Sequence, residues 1–117
     1  MEGKKKEIGF RYAFNGLREV FKSEKNFRVH LLVTLIVVGF GLYMHISAME
    51  WLAIVIVIGL VLSAEILNTA IEEIINYLKP EIHPTAKKIK DIAAAGVFVA
   101  AVSAVVVGLI IFIPKLI

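Results

Sequence analysis

The sequence predicts an all-α membrane protein, with three transmembrane helices preceded by an amphipathic helix in the membrane interface. Of its 117 residues, 59% are hydrophobic, against roughly 45–50% in soluble domains. The apolar residues are concentrated in three runs, and about 20 apolar residues suffice to cross the hydrocarbon core of a bilayer. This composition excludes a soluble enzyme and a disordered chain, and the absence of cysteine excludes a disulfide scaffold. The length allows one domain, residues 1–117.

The first predicted element is a basic amphipathic helix over about residues 8–25. One face carries the apolar residues at helical spacing: Phe10, Ala13, Phe14, Leu17, Val20 and Phe21. A basic amphipathic helix directly before a membrane span most simply lies in the interface. Two interpretations remain open, a membrane anchor alone or an element that contributes to a functional site.

The predicted spans cover about residues 29–49, 51–73 and 91–114. Residues 29–49 and 92–114 contain no Asp, Glu, Lys or Arg, and residues 51–71 contain one, Glu65. Small residues recur at every fourth position of the third span: Gly96, Ala100, Ala104 and Gly108. Such a ridge permits close approach of another helix, so we expect a homo-oligomer.

The distribution of basic residues predicts the topology. Eight Lys and Arg residues precede the first span, none lies in the turn at residues 45–50, four lie between the second and third spans, and one follows the third. The positive-inside rule places the N-terminus in the cytoplasm and the C-terminus outside. The net charge of +3 reflects this bias, and we expect no nucleic-acid partner. His30 and His45 are interpreted as the interfacial ends of the first span.

The second span carries polar residues on one face. Glu65, Asn68 and Glu72 fall within an arc of about 60°, with Glu65 roughly 10 Å deeper than Glu72. A carboxylate at this depth is costly and normally faces protein or water, so it indicates a functional site. The alternative is a structural carboxyl that specifies how the oligomer packs.

Two further segments reach the same cytoplasmic level, Glu24 just before the first span and Lys90-Asp91 at the start of the third. Carboxylates at the membrane surface suit Mg²⁺, which one or two carboxylates commonly hold together with substrate phosphates. Taken singly, Glu24 is a solvated charge and Lys90 a snorkelling lysine; their convergence favours a functional site. The phosphate-loop, zinc and protein-kinase motifs are absent from the sequence.

The motif E-x-x-N-T-A-I-E at residues 65–72 resembles the signature of the small bacterial integral-membrane diacylglycerol kinases, a family that includes the undecaprenol kinases. The resemblance extends over about residues 10–113 and includes F-N-G-L-R at 14–18 and K-D-I-A-A at 90–94. It implies a homotrimeric helical bundle in the bacterial cytoplasmic membrane, with sites shared between subunits. The resemblance also implies the partners of the protein: the surrounding membrane lipids, ATP and a lipid alcohol.

The resemblance also implies a reaction, the ATP-dependent phosphorylation of a membrane lipid hydroxyl. By this resemblance Glu65 is the general base, Asn68 positions the reacting groups, and Mg²⁺ is the cofactor, bound by Glu24 and Glu72. The residues implied in nucleotide binding are Tyr12, Glu24, Glu72, Glu81, His83, Lys90 and Asp91.

The lipid is predicted by resemblance alone. Residues 26–31 and 83–86 look more like the undecaprenol-kinase branch, so we expect undecaprenol, with diacylglycerol as the alternative. A hypothesis from another class is a non-enzymatic oligomeric membrane protein, such as a proton or cation conductor that uses Glu65.

Overall fold

The computed structural model describes residues 5–78 and 83–117, with side chains described from residue 9 onward. These ranges form four helices: α1 (Lys5–Ser23), α2 (Lys25–Tyr43), α3 (Ala48–Leu78) and α4 (Pro84–Leu116). The predicted all-α class is confirmed. Helices α2, α3 and α4 are each long and apolar enough to cross a membrane.

A single residue separates α1 from α2. Glu24 adopts an extended conformation, with φ of −118° and ψ of 109°, which interrupts the helical path. Arg28 stabilises the break, because its Nη1 donates to the carbonyl oxygens of Phe21 at 2.6 Å and Lys22 at 3.1 Å. Carbonyls in the last turn of a helix have no partner within the helix. The Arg28 guanidinium therefore caps α1 and fixes its junction with α2.

The connection between α2 and α3 is a tight turn. α2 ends at Tyr43, so residues 44–47 of the predicted first span belong to the turn. His45 has a φ of 53° there, a left-handed conformation that a helix does not continue through. Ser47 and Glu50 then form a capping box, in which each backbone N–H donates to the other residue's side-chain oxygen, at 2.8 and 3.2 Å.

Near this turn, which we call the turn end of the molecule, α3 and α4 are firmly packed. The buried side chains of Ile46, Ile54 and Ile111 form an apolar cluster, and the ammonium group of Lys115 pairs with the Glu50 carboxylate at 3.2 Å. At the opposite end, the site end, α3 and α4 extend past their predicted spans to Leu78 and Pro84. Polar side chains on these extensions lie outside the predicted hydrocarbon region.

Helix α2 packs against α3 but makes no close backbone approach to α4 within the described residues. The molecule is therefore flat, with extents of 52 × 43 × 20 Å. In the small-residue ridge of α4, Ala100 is buried within the subunit and Gly96 is exposed. Ala104 and Gly108 line a space between α2 and α4. The ridge thus serves packing within the subunit as well as any contact between subunits.

The close approach of α2 to the turn yields a test of the fold. A Cβ added at Gly41 would lie 2.7 Å from the Trp51 ring, whereas one at Gly39 would meet nothing within 4 Å. We expect Gly41→Ala to displace the indole and to lower the free energy of unfolding by about 1–3 kcal/mol, as overpacking does.

The matched control is Gly39→Ala in the same helix, which should leave the melting temperature in detergent unchanged or slightly raised, since alanine favours helix over glycine. Equal melting temperatures for the two variants would contradict the packing of Trp51 on Gly41.

Candidate active site

A polar face on α3 forms the centre of the site. Glu65 is 4% exposed and Thr69 is 7% exposed, although both lie on a helix apolar enough to span a bilayer. Asn68 Oδ1 is buried without a hydrogen-bond partner in the described part of the chain. Buried polar atoms are normally satisfied, so an orphaned amide oxygen indicates a position at which a further group is bound.

Two side chains reach this face from the start of α2: Glu24, the residue at the break described above, and His30 within the helix. The Thr69 hydroxyl shares its one proton between two acceptors, Glu24 Oε1 at 3.2 Å and the Glu65 carbonyl oxygen at 3.0 Å. One turn into α2, His30 Nε2 lies 3.5 Å from Glu65 Oε1. Thr69 therefore joins the N-cap of α2 to the helix turn that carries Glu65.

The carboxylate of Glu72 lies one turn further toward the site end. It faces the Glu24 carboxylate and lies within electrostatic range of Glu65 and of the Lys90 ammonium group. Lys90 Nζ donates to Asn76 Oδ1 at 2.7 Å, which turns it from α4 toward α3. Residues from α2, α3 and α4 thus bring three carboxylates and one ammonium group together, as the sequence predicts.

The structure separates Asp91 from this group. Its carboxylate pairs with Lys87 at 2.7 Å on the exposed surface of α4, whereas Lys90 faces α3. Together with Pro84 and Lys88, this pair lines an open depression of about 290 Å³. Asp91 and Lys90 consequently point to different surfaces of α4.

Of three other predicted nucleotide contacts, two make no hydrogen bond or ion pair with the carboxylates in the described part of the chain, and one lies outside the described residues. Tyr12 is exposed on α1. His83 is the N-cap of α4, where its Nδ1 accepts from the backbone N–H of Thr85 at 3.1 Å. Glu81 lies outside the described residues. Within one subunit the structure joins Glu24, Glu65, Glu72 and Lys90.

Three residues of the assembled site carry no role in the sequence prediction. Thr69 and Asn76 follow Glu65 and Glu72 by four residues, a spacing that places them on the same helix face. His30 is interpreted from sequence as an interfacial residue, and the structure places its side chain against Glu65. Helical spacing could have identified Thr69 and Asn76, but only the packing of α2 on α3 shows the position of His30.

The carboxylate oxygens of the site are candidate ligands for a metal ion. Among the described residues, no group of three or more His, Asp or Glu side chains could hold a metal ion on its own. The facing pair Glu24 and Glu72 supplies two carboxylates, and Mg²⁺ is commonly bound by one or two carboxylates with substrate phosphates as further ligands. The residues present therefore fit Mg²⁺ that arrives with a phosphorylated substrate.

Comparison with known proteins gives consistent matches. The family model described as prokaryotic diacylglycerol kinase matches residues 11–112. The undecaprenol kinase of Bacillus subtilis is 40% identical over 107 residues, covering 92% of this chain and 87% of that protein. A diacylglycerol kinase of Synechocystis is 34% identical, covering 93% of this chain and 63% of that protein. The diacylglycerol kinase of Escherichia coli K12 is 30% identical, covering 81% and 78% respectively.

The bond between helices at Thr69 can be tested with two isosteric substitutions. We expect Thr69→Val to lower the free energy of unfolding by about 1 kcal/mol, because it removes a hydrogen bond to a carboxylate. Thr34→Val is the matched control, since within the described residues the Thr34 hydroxyl donates to the His30 carbonyl of its own helix and to no other helix.

The two variants are compared by thermal unfolding in one detergent. Equal destabilisation would show that the contact between Thr69 and Glu24 contributes nothing to joining α2 and α3.

Proposed function

The chain belongs to the family of prokaryotic diacylglycerol kinases and is a lipid kinase, and on this premise we propose that it transfers the γ-phosphoryl group of ATP to the hydroxyl of undecaprenol. The alternative substrate is diacylglycerol, which would yield phosphatidic acid. The observation that carries the proposal is the burial of Glu65 beside two further carboxylates and an ammonium group.

In the proposed reaction, Glu65 is the general base. Its carboxylate accepts the proton of the lipid hydroxyl as the hydroxyl oxygen forms a bond to the γ-phosphorus, and the bond from this phosphorus to the bridging oxygen breaks to release ADP. Phosphoryl transfer depends chiefly on positioning and on neutralising charge. Asn68 contributes to positioning, because its buried Oδ1 can accept a hydrogen bond at this face. The Lys90 ammonium group contributes positive charge for the phosphates.

Glu24 and Glu72 would hold Mg²⁺ at the same level. When bound, Mg²⁺ neutralises phosphate charge and orients the phosphates. The hydrogen bond from Thr69 fixes the Glu24 carboxylate, and the break between α1 and α2 directs it toward α3.

We propose undecaprenol rather than diacylglycerol as the lipid substrate for two reasons. Of the relatives compared above, the undecaprenol kinase shares the larger fraction of identical residues, 40% against 34% and 30%. The segments 26–31 and 83–86 also resemble that branch. A conductor of protons or cations has no comparable support.

The protein is proposed to act as a homotrimer in the bacterial cytoplasmic membrane, with its N-terminus and the site end in the cytoplasm. Large apolar residues remain exposed along α2, α3 and α4 of the single subunit, and contact with lipid and with other subunits would cover them. Neighbouring subunits would then complete the nucleotide site with Tyr12, Glu81, His83 and Asp91. Phe10 and Phe14 are exposed on α1, which suits a helix lying in the membrane interface.

The role of Glu65 is tested by neutralising it without changing its shape. We expect Glu65→Gln to lower the rate of phosphate transfer at least about 100-fold, the scale of a general base, while leaving the oligomer intact. The matched control is Glu73→Gln, one helix position from Glu72 and exposed, which should retain the wild-type rate. Transfer of label from γ-labelled ATP to undecaprenol in mixed micelles measures both variants.

Size-exclusion chromatography verifies assembly in the same samples. A wild-type rate for Glu65→Gln would remove Glu65 from the role of base, and transfer of no label by the wild type to any lipid alcohol would contradict the proposed function.

The metal site is tested by titrating free Mg²⁺. Chelation with EDTA should abolish transfer, and Glu24→Gln and Glu72→Gln should each raise the Mg²⁺ concentration for half-maximal rate by about tenfold or more, the scale of a weakened metal site. Glutamine at position 24 still presents an oxygen to Thr69, so helix packing is retained.

Glu73→Gln again serves as the control and should follow the wild-type Mg²⁺ curve. Unchanged curves for both site variants would exclude Glu24 and Glu72 as ligands.

A further inference from the structure

His30 is the residue of α2 that reaches the proposed base. Its Nε2 lies 3.5 Å from Glu65 Oε1, with the Glu65 side chain 5% exposed and the His30 side chain 27% exposed. A separation of 3.5 Å is within ion-pair distance and longer than a short hydrogen bond. The imidazole is therefore close enough to orient the carboxylate.

His30 contacts the Glu65 carboxylate and also lines an apolar cavity. A cavity of about 480 Å³ lies between α2, α3 and α4 and is lined by apolar side chains, apart from His30 and Thr34. The hydroxyl of Thr34 already donates to the His30 carbonyl oxygen at 2.8 Å. The His30 imidazole is therefore the polar lining group that faces Glu65.

The Glu65 carboxylate has little else to hold it. Within the described residues, the hydrogen bond at Glu65 reaches its backbone carbonyl, from Thr69, and none is made by the carboxylate oxygens. A glutamate side chain has several rotatable bonds, and a base must lie within about 2.6–3.2 Å of the proton it accepts. Contact of His30 with Oε1 restricts these torsions and leaves Oε2 for the hydroxyl.

We propose that His30, which lines the cavity, is a positioning residue that holds the neighbouring Glu65 carboxylate in the orientation that receives the proton of the lipid hydroxyl. The inference rests on the proposed function, since it assigns Glu65 as the base. His30 itself takes no proton from the substrate in this scheme. Its imidazole acts through Glu65, and the property that matters is a donor at the position of Nε2.

The amide side chains of glutamine and asparagine distinguish this role from one of shape or polarity. Glutamine places its amide nitrogen near the position of Nε2, whereas the shorter asparagine reaches only the position of Nδ1. We expect His30→Asn and His30→Leu to lower kcat with undecaprenol about 10–100-fold, the range found for partners that orient a functional group. The KM for ATP should stay within about twofold, because binding in the ground state is unaffected.

His30→Gln should restore kcat to within about threefold of the wild type, as expected when the donor is retained. The matched control is His45→Asn in the turn that follows α2, where asparagine tolerates the left-handed backbone; its kcat should equal that of the wild type.

A double-mutant cycle on thermal stability provides a readout that needs no catalysis. The shifts in melting temperature of His30→Asn and Glu65→Gln should be non-additive in the double variant, because the two side chains are in contact. Additive shifts would overturn the contact on which the inference depends. The cycle does not use His30→Leu, so it tests the contact even if that variant fails to fold.

The kinetic outcomes separate the two proposals. An active wild type with His30→Asn at full kcat, or with His30→Gln as impaired as His30→Asn, would overturn the positioning role alone. A wild-type protein that phosphorylates no lipid alcohol would overturn the proposed function, and the positioning role with it.

Discussion

The Glu65 carboxylate lies on a helix that is long and apolar enough to cross a bilayer, and its burial constrains the other helices. A charged group exposed to hydrocarbon is costly, so protein must cover this side chain. Helix α2 supplies the cover, with His30 against the carboxylate and Glu24 bonded to Thr69 one turn away. Both contacts depend on where α2 begins, which the extended Glu24 and the Arg28 cap determine. The break between α1 and α2 is thus part of the site.

The turn end of the molecule holds the helices together, and the site end carries the polar groups of the proposed reaction. At the turn end, the capping box, the isoleucine cluster and the ion pair between Lys115 and Glu50 hold α3 and α4 together. At the site end, the same two helices present Glu72 and Lys90 to each other. Because helices are stiff, packing at one end fixes the separation of polar groups at the other. Phosphoryl transfer needs such preorganised charge.

Much of this arrangement is predictable from sequence because hydropathy and helical spacing are local properties. The three apolar runs predict the spans, and the spacing of Glu65 and Glu72 predicts one polar face. The family resemblance is confirmed by the match over residues 11–112. Contacts that depend on packing between helices are not predictable in this way. The contact of His30 with Glu65, for example, depends on how α2 crosses α3. The end of α2 before residue 49 likewise depends on the left-handed conformation of His45. The hydropathy of the sequence does not reveal this turn, because the residues on both sides of it are apolar.

The proposed reaction at this polar face is the transfer of phosphate from ATP to a lipid hydroxyl. The most direct measurement is a competition in vesicles that contain equal amounts of undecaprenol and diacylglycerol, with the purified protein, Mg²⁺ and γ-labelled ATP, followed by separation of the lipids. We expect label in the lipid fraction, with undecaprenyl phosphate exceeding phosphatidic acid. Label that remains in ATP and inorganic phosphate, with none in either lipid, would contradict the proposed reaction.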